Sequence, residues 1–439
     1  MKEYDIAIIG AGVIGTSLAY ILSSFSKLRT VLIEMETMAG IHTSSRNTGV
    51  IHRPFYIHPE KKLILAQSSQ QSFEMWRELA FRFNLPWSQN GTIEVAMNEK
   101  DKDTIENYKI YAEKNGMNRS EYEILDRGQI KNIEPKVNAD MAFYSKYDSN
   151  VSFGAFTNKL SELASCSGSN ILFNAKVISI DDSNGIITYL QNRKLKKISS
   201  QIIINVSGGG SLNLAKSVGL ASKYSVLHFR GDYWKLKEDN DLRITHNIYS
   251  VPQHIKYPFL DPHFIVRPNK SNEIGPNARL VISPYSYRKD DPNRRQGNKD
   301  IFSLPLLPKL KLFTNIEFLN MVRDEWKSST FKGEMVKKVK KFIPDIEESM
   351  IEGTGLSGIR HSLIDSNGFV PEVVIEYGEH SIHVLNFNSP GATGSPAFSC
   401  YLISQIVKRG LAKEISLVTD IKKNLPWINS VKKIYDYFQ

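Results

Sequence analysis

Cysteine is nearly absent from this sequence. Cys166 and Cys400 are the only two, and they stand far apart. Two isolated thiols build no disulfide framework, so an apolar core must hold the fold, and a reduced, cytoplasmic setting is the default expectation. No Cys/His group has metal-ligand spacing, so no metal is expected. Nor is there an uninterrupted apolar run of about 18 residues, the length a spanning helix needs. The chain enters an apolar stretch within a few residues of Met1, which leaves no expected room for a secretory signal peptide. Acidic residues are outnumbered, and the formal net charge is +10. No helix-turn-helix, zinc-finger or RNP-like pattern accompanies that excess, so nucleic acid is not the expected partner. An anionic membrane surface or a small anionic substrate would also answer to it. The densest basic run, Lys332 to Lys341, reads as solvated surface.

What is present begins at once. Tyr4 to Ile9 is a short apolar run suited to a buried parallel strand, and Gly10-Ala11-Gly12-Val13-Ile14-Gly15 follows it. Thr16 to Leu22 has helical character, Val31-Leu32-Ile33 is a second apolar strand, and Glu34 closes it. Strand, glycine turn, helix, strand and acid in that order form a dinucleotide fingerprint. Gly10 permits the tight turn, Gly12 lets backbone approach a pyrophosphate, and Gly15 lets helix pack on strand. The helix N-terminus offers N–H groups and positive dipole to the phosphates, and Glu34 can accept from ribose hydroxyls.

Three further stretches stand out. Ile41 to His52 is a polar, small-residue loop that turns apolar and ends in His, placed where open α/β sheets bind ligands. Gln201 to Gly210 is an apolar strand running into Asn205, Ser207 and three glycines, which let backbone pass close to a cofactor. Gly355 to Gln405 holds Gly358-Ile359-Arg360-His361, a strand at Ser381 to Asn386, and Ser389 to Pro396 opening a helix. A second helix N-terminus aimed at a cofactor would stabilise negative charge on it. The 439-residue length suits two domains. A discontinuous nucleotide domain is expected from residues 1–80, 150–222 and 352–415, a substrate domain from 81–149 and 223–351, and a tail from 416–439.

These stretches follow one another as in the D-amino-acid-oxidase-like flavoproteins. Within that superfamily the chain resembles the FAD-dependent glycerol-3-phosphate dehydrogenases and oxidases, with the L-2-hydroxyglutarate dehydrogenases as neighbours. Arg46-Asn47 and Asn424-Leu425-Pro426-Trp427-Ile428 point to the first group. Tyr257-Pro258 through His263-Phe264 and Gly275-Pro276-Asn277-Ala278 point to the second. The resemblance implies an α/β (α+β) fold with a Rossmann-like FAD-binding domain and a mixed or antiparallel-sheet substrate domain. It implies non-covalent FAD held by Gly10, Gly12, Val13, Ile14, Gly15, Glu34 and Met35, by Ser45, Arg46, Asn47, Thr48 and Gly49, by Val177, Ser207 and Gly208, and by Gly391, Ala392 and Thr393.

The reaction it implies is oxidation of sn-glycerol 3-phosphate to dihydroxyacetone phosphate, with hydride passing to flavin N5 and electrons to a quinone, a partner protein or another acceptor. The alternative is oxidation of L-2-hydroxyglutarate, and a second is an amine or amino-acid oxidase. A nicotinamide-dependent dehydrogenase would explain the first motif but not the later loops. A non-catalytic flavin-binding or tRNA-modifying protein is the reading of another kind. Both candidate alcohols need a base and a cation. His52 is the first choice of base, with His263 and His361 in reserve. Arg360 is the expected anion anchor. Arg267 and Arg230 stand in reserve, and Arg53, His263 and His361 beside them at the substrate.

The tail closes the reading. Val431, Ile434, Tyr435 and Phe438 make one helical face, flanked by Lys422, Lys423, Lys432, Lys433 and Pro426-Trp427. Two expectations stand side by side: peripheral contact with the cytoplasmic face of a membrane, or packing of the stripe on the enzyme or on a second subunit of a homodimer.

Overall fold

The computed structural model describes residues 1–253, 257, 261–295, 300–410 and 425–439. Pro258, Lys422, Lys423 and Asn424, used above, lie outside them.

The opening apolar run becomes the strand Lys2–Ile9, which lies inside a parallel array. Across that array the strands are Asn170–Leu172, Thr30–Ile33, Lys2–Ile9, Lys194–Asn205 and Ser381–Asn386. The chain runs outward from the first strand in one direction and returns on its other side. The reversal falls between Lys2–Ile9 and Lys194–Asn205, where Ile8 pairs with Ile204. A crevice at the carboxyl end of such a reversal is where open α/β sheets bind ligands. One face is covered by the helices Val13–Phe25, Leu63–Phe83, Phe153–Cys166 and Gly391–Lys408, with Leu18, Trp76, Phe156 and Ile403 in the shared core. Parallel strands buried on both faces need near-continuous apolar sequence, which Ile6 to Ile9 and Ile202 to Ile204 supply.

A second, ten-stranded sheet stands beside it. Its spine is the strand Ser225–Leu236 paired antiparallel with Ile351–Asp365. Thr92–Ala96 runs parallel to Asn247–Ser250 within it, so the sheet is mixed. The helices Arg127–Ile133 and Lys332–Val339 contribute Ile130 and Val336 to its core. One boundary shifts from the expected layout. Residues 352–365 were expected in the nucleotide domain, but they form a strand of the second sheet, because Ile359 to Ile364 pair directly with Ser225 to Arg230. Arg360 and His361 are thus carried by the substrate sheet. They are adjacent strand residues and leave the backbone on opposite faces.

The tail stripe is covered by the protein's own body. Val431, Ile434 and Phe438, on the helix Ile428–Phe438, are buried in the nucleotide-domain core. Trp427 is fully buried between the rings of Tyr20 and Trp76, and its Nε1 donates to the Met75 carbonyl at 2.7 Å. Lys408 Nζ donates to the Phe438 carbonyl at 3.0 Å. The apolar face offered to a membrane or to a second subunit is therefore not available to either.

Candidate active site

The switch-point crevice opens into a cavity of about 870 Å³. Gly10 sits at φ +101°, and a Cβ there would lie 2.8 Å from the Ser207 Cα, so only glycine lets the two loops meet. Gly15 does not line the cavity; a Cβ on it would fall 1.9 Å from the Gly10 carbonyl, which makes it a helix-to-turn packing position. Gly12, Val13 and Ile14 line the cavity at the helix start, and Ser44 Oγ accepts from Val13 N at 2.9 Å. Glu34 is tied to the same turn. Its Oε2 accepts from Ala11 N at 2.7 Å and its Oε1 from Glu36 N at 2.9 Å, and burial pushes its carboxyl above the usual range. Two lone-pair directions of the carboxylate stay available for ribose hydroxyls.

Met35, Arg46, Asn47, Thr48, Gly49, Val177, Ser207, Gly208, Gly391, Ala392 and Thr393 line the cavity as well. Ser45 does not; its hydroxyl bonds the Ile41 and His42 carbonyls, and Ser44 faces the cavity in its place. Two helix N-termini, Val13–Phe25 and Gly391–Lys408, thus open on one space together with a ribose-type acid. This donor set fits a flavin dinucleotide.

At its other pole the cavity is lined by His52 and Arg360. His52 Nδ1 lies 2.7 Å from Asp148 Oδ2. A carboxylate only accepts, so Nδ1 carries the proton and the neutral ring presents its lone pair at Nε2. Asp148 is fixed by the Ser145 hydroxyl at 2.5 Å and by Arg53 N at 2.9 Å. The His52 backbone N donates to Thr393 Oγ1 at 3.2 Å, which joins this histidine to the second cavity-facing helix. Tyr56 and Tyr249 stand edge-on to the imidazole at 5.6 Å each, and the Tyr249 hydroxyl is 3.5 Å from Nε2. Arg360 is half-buried; desolvation lowers its pKa, and as an arginine it remains a cation. Lys62 does not line the cavity; burial lowers its pKa, and the charge of Arg360 lowers it further.

Several expected residues have other work. His263 does not line the cavity. It stacks on Tyr249 at 3.9 Å, its Nδ1 bonds the Asp261 carbonyl, and burial drives its pKa down to about 3. A ring this hard to protonate is poorly suited as a base. Arg267 ties Glu273 to the Asn47 and Thr48 carbonyls, bracing the loop from behind. Arg53 points away to Glu121, and Arg230 forms a buried pair with Asp232. His361 lines the cavity, with its Nδ1 3.0 Å from His228 Nδ1 and His228 in turn 3.1 Å from Asp300. Sequence reasoning missed Asp148, Tyr56 and Tyr249, the three side chains set around His52. Asp148 sits in a polar Tyr-Asp-Ser-Asn turn that resembles any surface turn, and only its pairing with His52 distinguishes it.

The sequence profile of the FAD dependent oxidoreductases matches residues 5–405. The chain belongs to that family. FAD is therefore the cofactor that the two helix N-termini and Glu34 would hold. This FAD-dependent oxidoreductase is 27% identical over 422 residues to the mitochondrial L-2-hydroxyglutarate dehydrogenase of Caenorhabditis briggsae, covering 93% of this chain and 94% of that one. It is 24% identical over 406 residues to the L-2-hydroxyglutarate dehydrogenase of Escherichia coli strain K12, covering 92% and 93%. The structure of the L-alpha-glycerophosphate oxidase from Mycoplasma pneumoniae superposes with a TM-score of 0.72 at 20% identity, over 97% of this chain and 98% of that one. At that identity the likeness establishes the fold.

Proposed function

We propose that this enzyme oxidises an L-2-hydroxy dicarboxylic acid of the 2-hydroxyglutarate class to the 2-oxo acid. The observation that carries the reading is the buried His52–Asp148 pair facing the same cavity as Arg360 and the dinucleotide turn. The full-length relatives that act on L-2-hydroxyglutarate support the substrate class. Arg360 would take one carboxylate, in the forked geometry that arginine offers. His52 Nε2 would accept the hydroxyl proton, and Asp148 would stabilise the imidazolium that forms. FAD, when bound, supplies the hydride acceptor. Tyr56, edge-on to His52 and with a buried hydroxyl that finds no partner among the described residues, would offer a further donor for a second carboxylate.

Glycerol 3-phosphate, the first expectation from sequence, loses its specific support. Arg46 forms a bidentate pair with Asp291 at 2.5 and 3.2 Å, and Pro426-Trp427 belongs to the core. Both features hold the fold together and leave substrate choice to Arg360 and its neighbours.

The test is anaerobic bleaching of the bound flavin with L-2-hydroxyglutarate and sn-glycerol 3-phosphate offered separately. Rapid bleaching by the first alone is expected; bleaching by glycerol 3-phosphate alone would overturn the reading.

A further inference from the structure

An apolar surface that the proposed reaction does not use begins at the cavity wall. Asp300 lines the cavity, and the chain leaves it through Phe302, Leu304, Leu306, Leu307 and Leu310, all exposed. Leu304 is 70% exposed and Leu307 63%. The display is rigid. Lys309 is buried beneath it, with Nζ donating to the Asp300 carbonyl at 2.6 Å, the Ser303 carbonyl at 2.8 Å and Ser303 Oγ at 3.0 Å. Burial depresses the Lys309 pKa to about 8. The next helix, Ile316–Thr330, buries Phe318 and Met321 and turns Ile316, Leu319 and Trp326 outward. Trp326 meets the exposed Phe331 edge-on at 6.3 Å. Exposed apolar side chains concentrated on one segment and on the outward face of the helix that follows it mark an interaction site.

Charge indicates what the surface meets. Between Asp300 and Glu317 the sequence has no acidic residue, and Lys311 is its exposed cation. Arg323, Lys327 and Lys332 continue the basic border, against Glu317, Asp324 and Glu325. Glu325 is engaged by Lys338 at 2.5 Å. Exposed leucine and aromatic side chains bordered by lysine and arginine, on a chain of net charge +10, complement an anionic lipid surface.

We propose that Phe302–Phe313, with the outward face of Ile316–Thr330, seats this enzyme on an anionic membrane surface. The membrane contact expected at the tail is thereby moved to a segment that the sequence did not single out. Asp300, in the turn that leads into the segment, lines the cavity, so docking here sets the cavity beside the lipid.

The test is flotation of the full-length holoenzyme with vesicles of three parts phosphatidylcholine to one part phosphatidylglycerol. Pure phosphatidylcholine serves as comparison, and each is run at about 50 mM and 500 mM salt. Binding is expected to anionic vesicles, and to weaken several-fold at high salt. The L304E/L307E/L310E variant should lose at least about tenfold in vesicle affinity while keeping its flavin spectrum. The milder L307E keeps the test decisive if the triple variant fails to fold. K432E/K433E, at the tail, should bind as the parent does. Parent protein that ignores anionic vesicles, or L307E and the triple variant floating as well as the parent, would overturn the proposal. So would a lipid-free dimer that L307E dissociates without any vesicle binding, which would assign the face to a second copy of the chain.

Discussion

His52 and Asp148 are 96 residues apart in sequence and 2.7 Å apart in space. His52 was legible because it ends a loop beside the nucleotide turn; Asp148 was not, because a polar turn carries no sign of its partner. The pair predicts two outcomes. His52→Ala should retain flavin yet slow its anaerobic reduction by about 10²–10⁴-fold, the ordinary contribution of a general base. Asp148→Asn replaces a charged group that only accepts with a neutral amide that also donates, which loosens the hold on the tautomer; it should also slow reduction while shifting its pH profile, and an unchanged profile would leave Asp148 a purely structural role. The hydroxyl of Tyr56 makes a different prediction. If it receives the second carboxylate, Tyr56→Phe should raise KM for L-2-hydroxyglutarate several-fold and leave a monocarboxylic 2-hydroxy acid little affected. Steady-state kinetics on both substrates decide this, and equal changes on both would remove Tyr56 from specificity.

Among the elements, helices were read well where an apolar stripe at helical spacing met a clear stop. Val13–Phe25 and Gly391–Lys408 fall close to where the sequence places them. Amphipathicity says that a face is covered, never by what. The helix Ile428–Phe438 has one strong apolar face, which the protein covers itself, while the leucines after Phe302 lie outside any clean period and stay exposed. The strand Ile351–Asp365 falls outside the domain expected for it for a related reason: it precedes the Ser381–Asn386 strand and the glycine loop in sequence, and pairing with Ser225–Leu236 over such sequence distance leaves no local trace. Trp427 gives the tail a measurable weight. Trp427→Ala opens a cavity between Tyr20 and Trp76 and deletes the bond to Met75, and should cost about 3–5 kcal/mol in chemical denaturation. A loss below 1 kcal/mol would show that the tail contributes little to the core.

For the molecule as a whole, two buried groups set opposite pH limits. His263 in the folded protein accepts a proton only near pH 3, whereas unfolded histidine does so near 6.5. Between those values the unfolded chain binds more protons, so stability falls as pH drops below 6.5. Glu94 is pushed up by burial to about 8 from 4.5, and its contribution is lost as pH rises from 4.5 toward 8. His263→Asn should therefore show a shallower decline of Tm from pH 6.5 to 4 than the parent, whatever its absolute stability. Parallel declines in the two proteins would mean that other groups govern the acid limb.

The strand order of the nucleotide sheet has a consequence for how the protein is made. Lys2–Ile9 leaves the ribosome first, but its neighbour Lys194–Asn205 and the outer Ser381–Asn386 come much later. At about 5–20 residues per second, the first strand waits on the order of tens of seconds for the sheet to be completed. Its glycine turn shares the cavity with Ser207 and the Gly391–Thr393 helix start, so the nascent chain has no finished cradle until Thr393 has emerged. Flavin capture should accordingly be a late event of biosynthesis, and chains stalled before Ser381 should remain colourless.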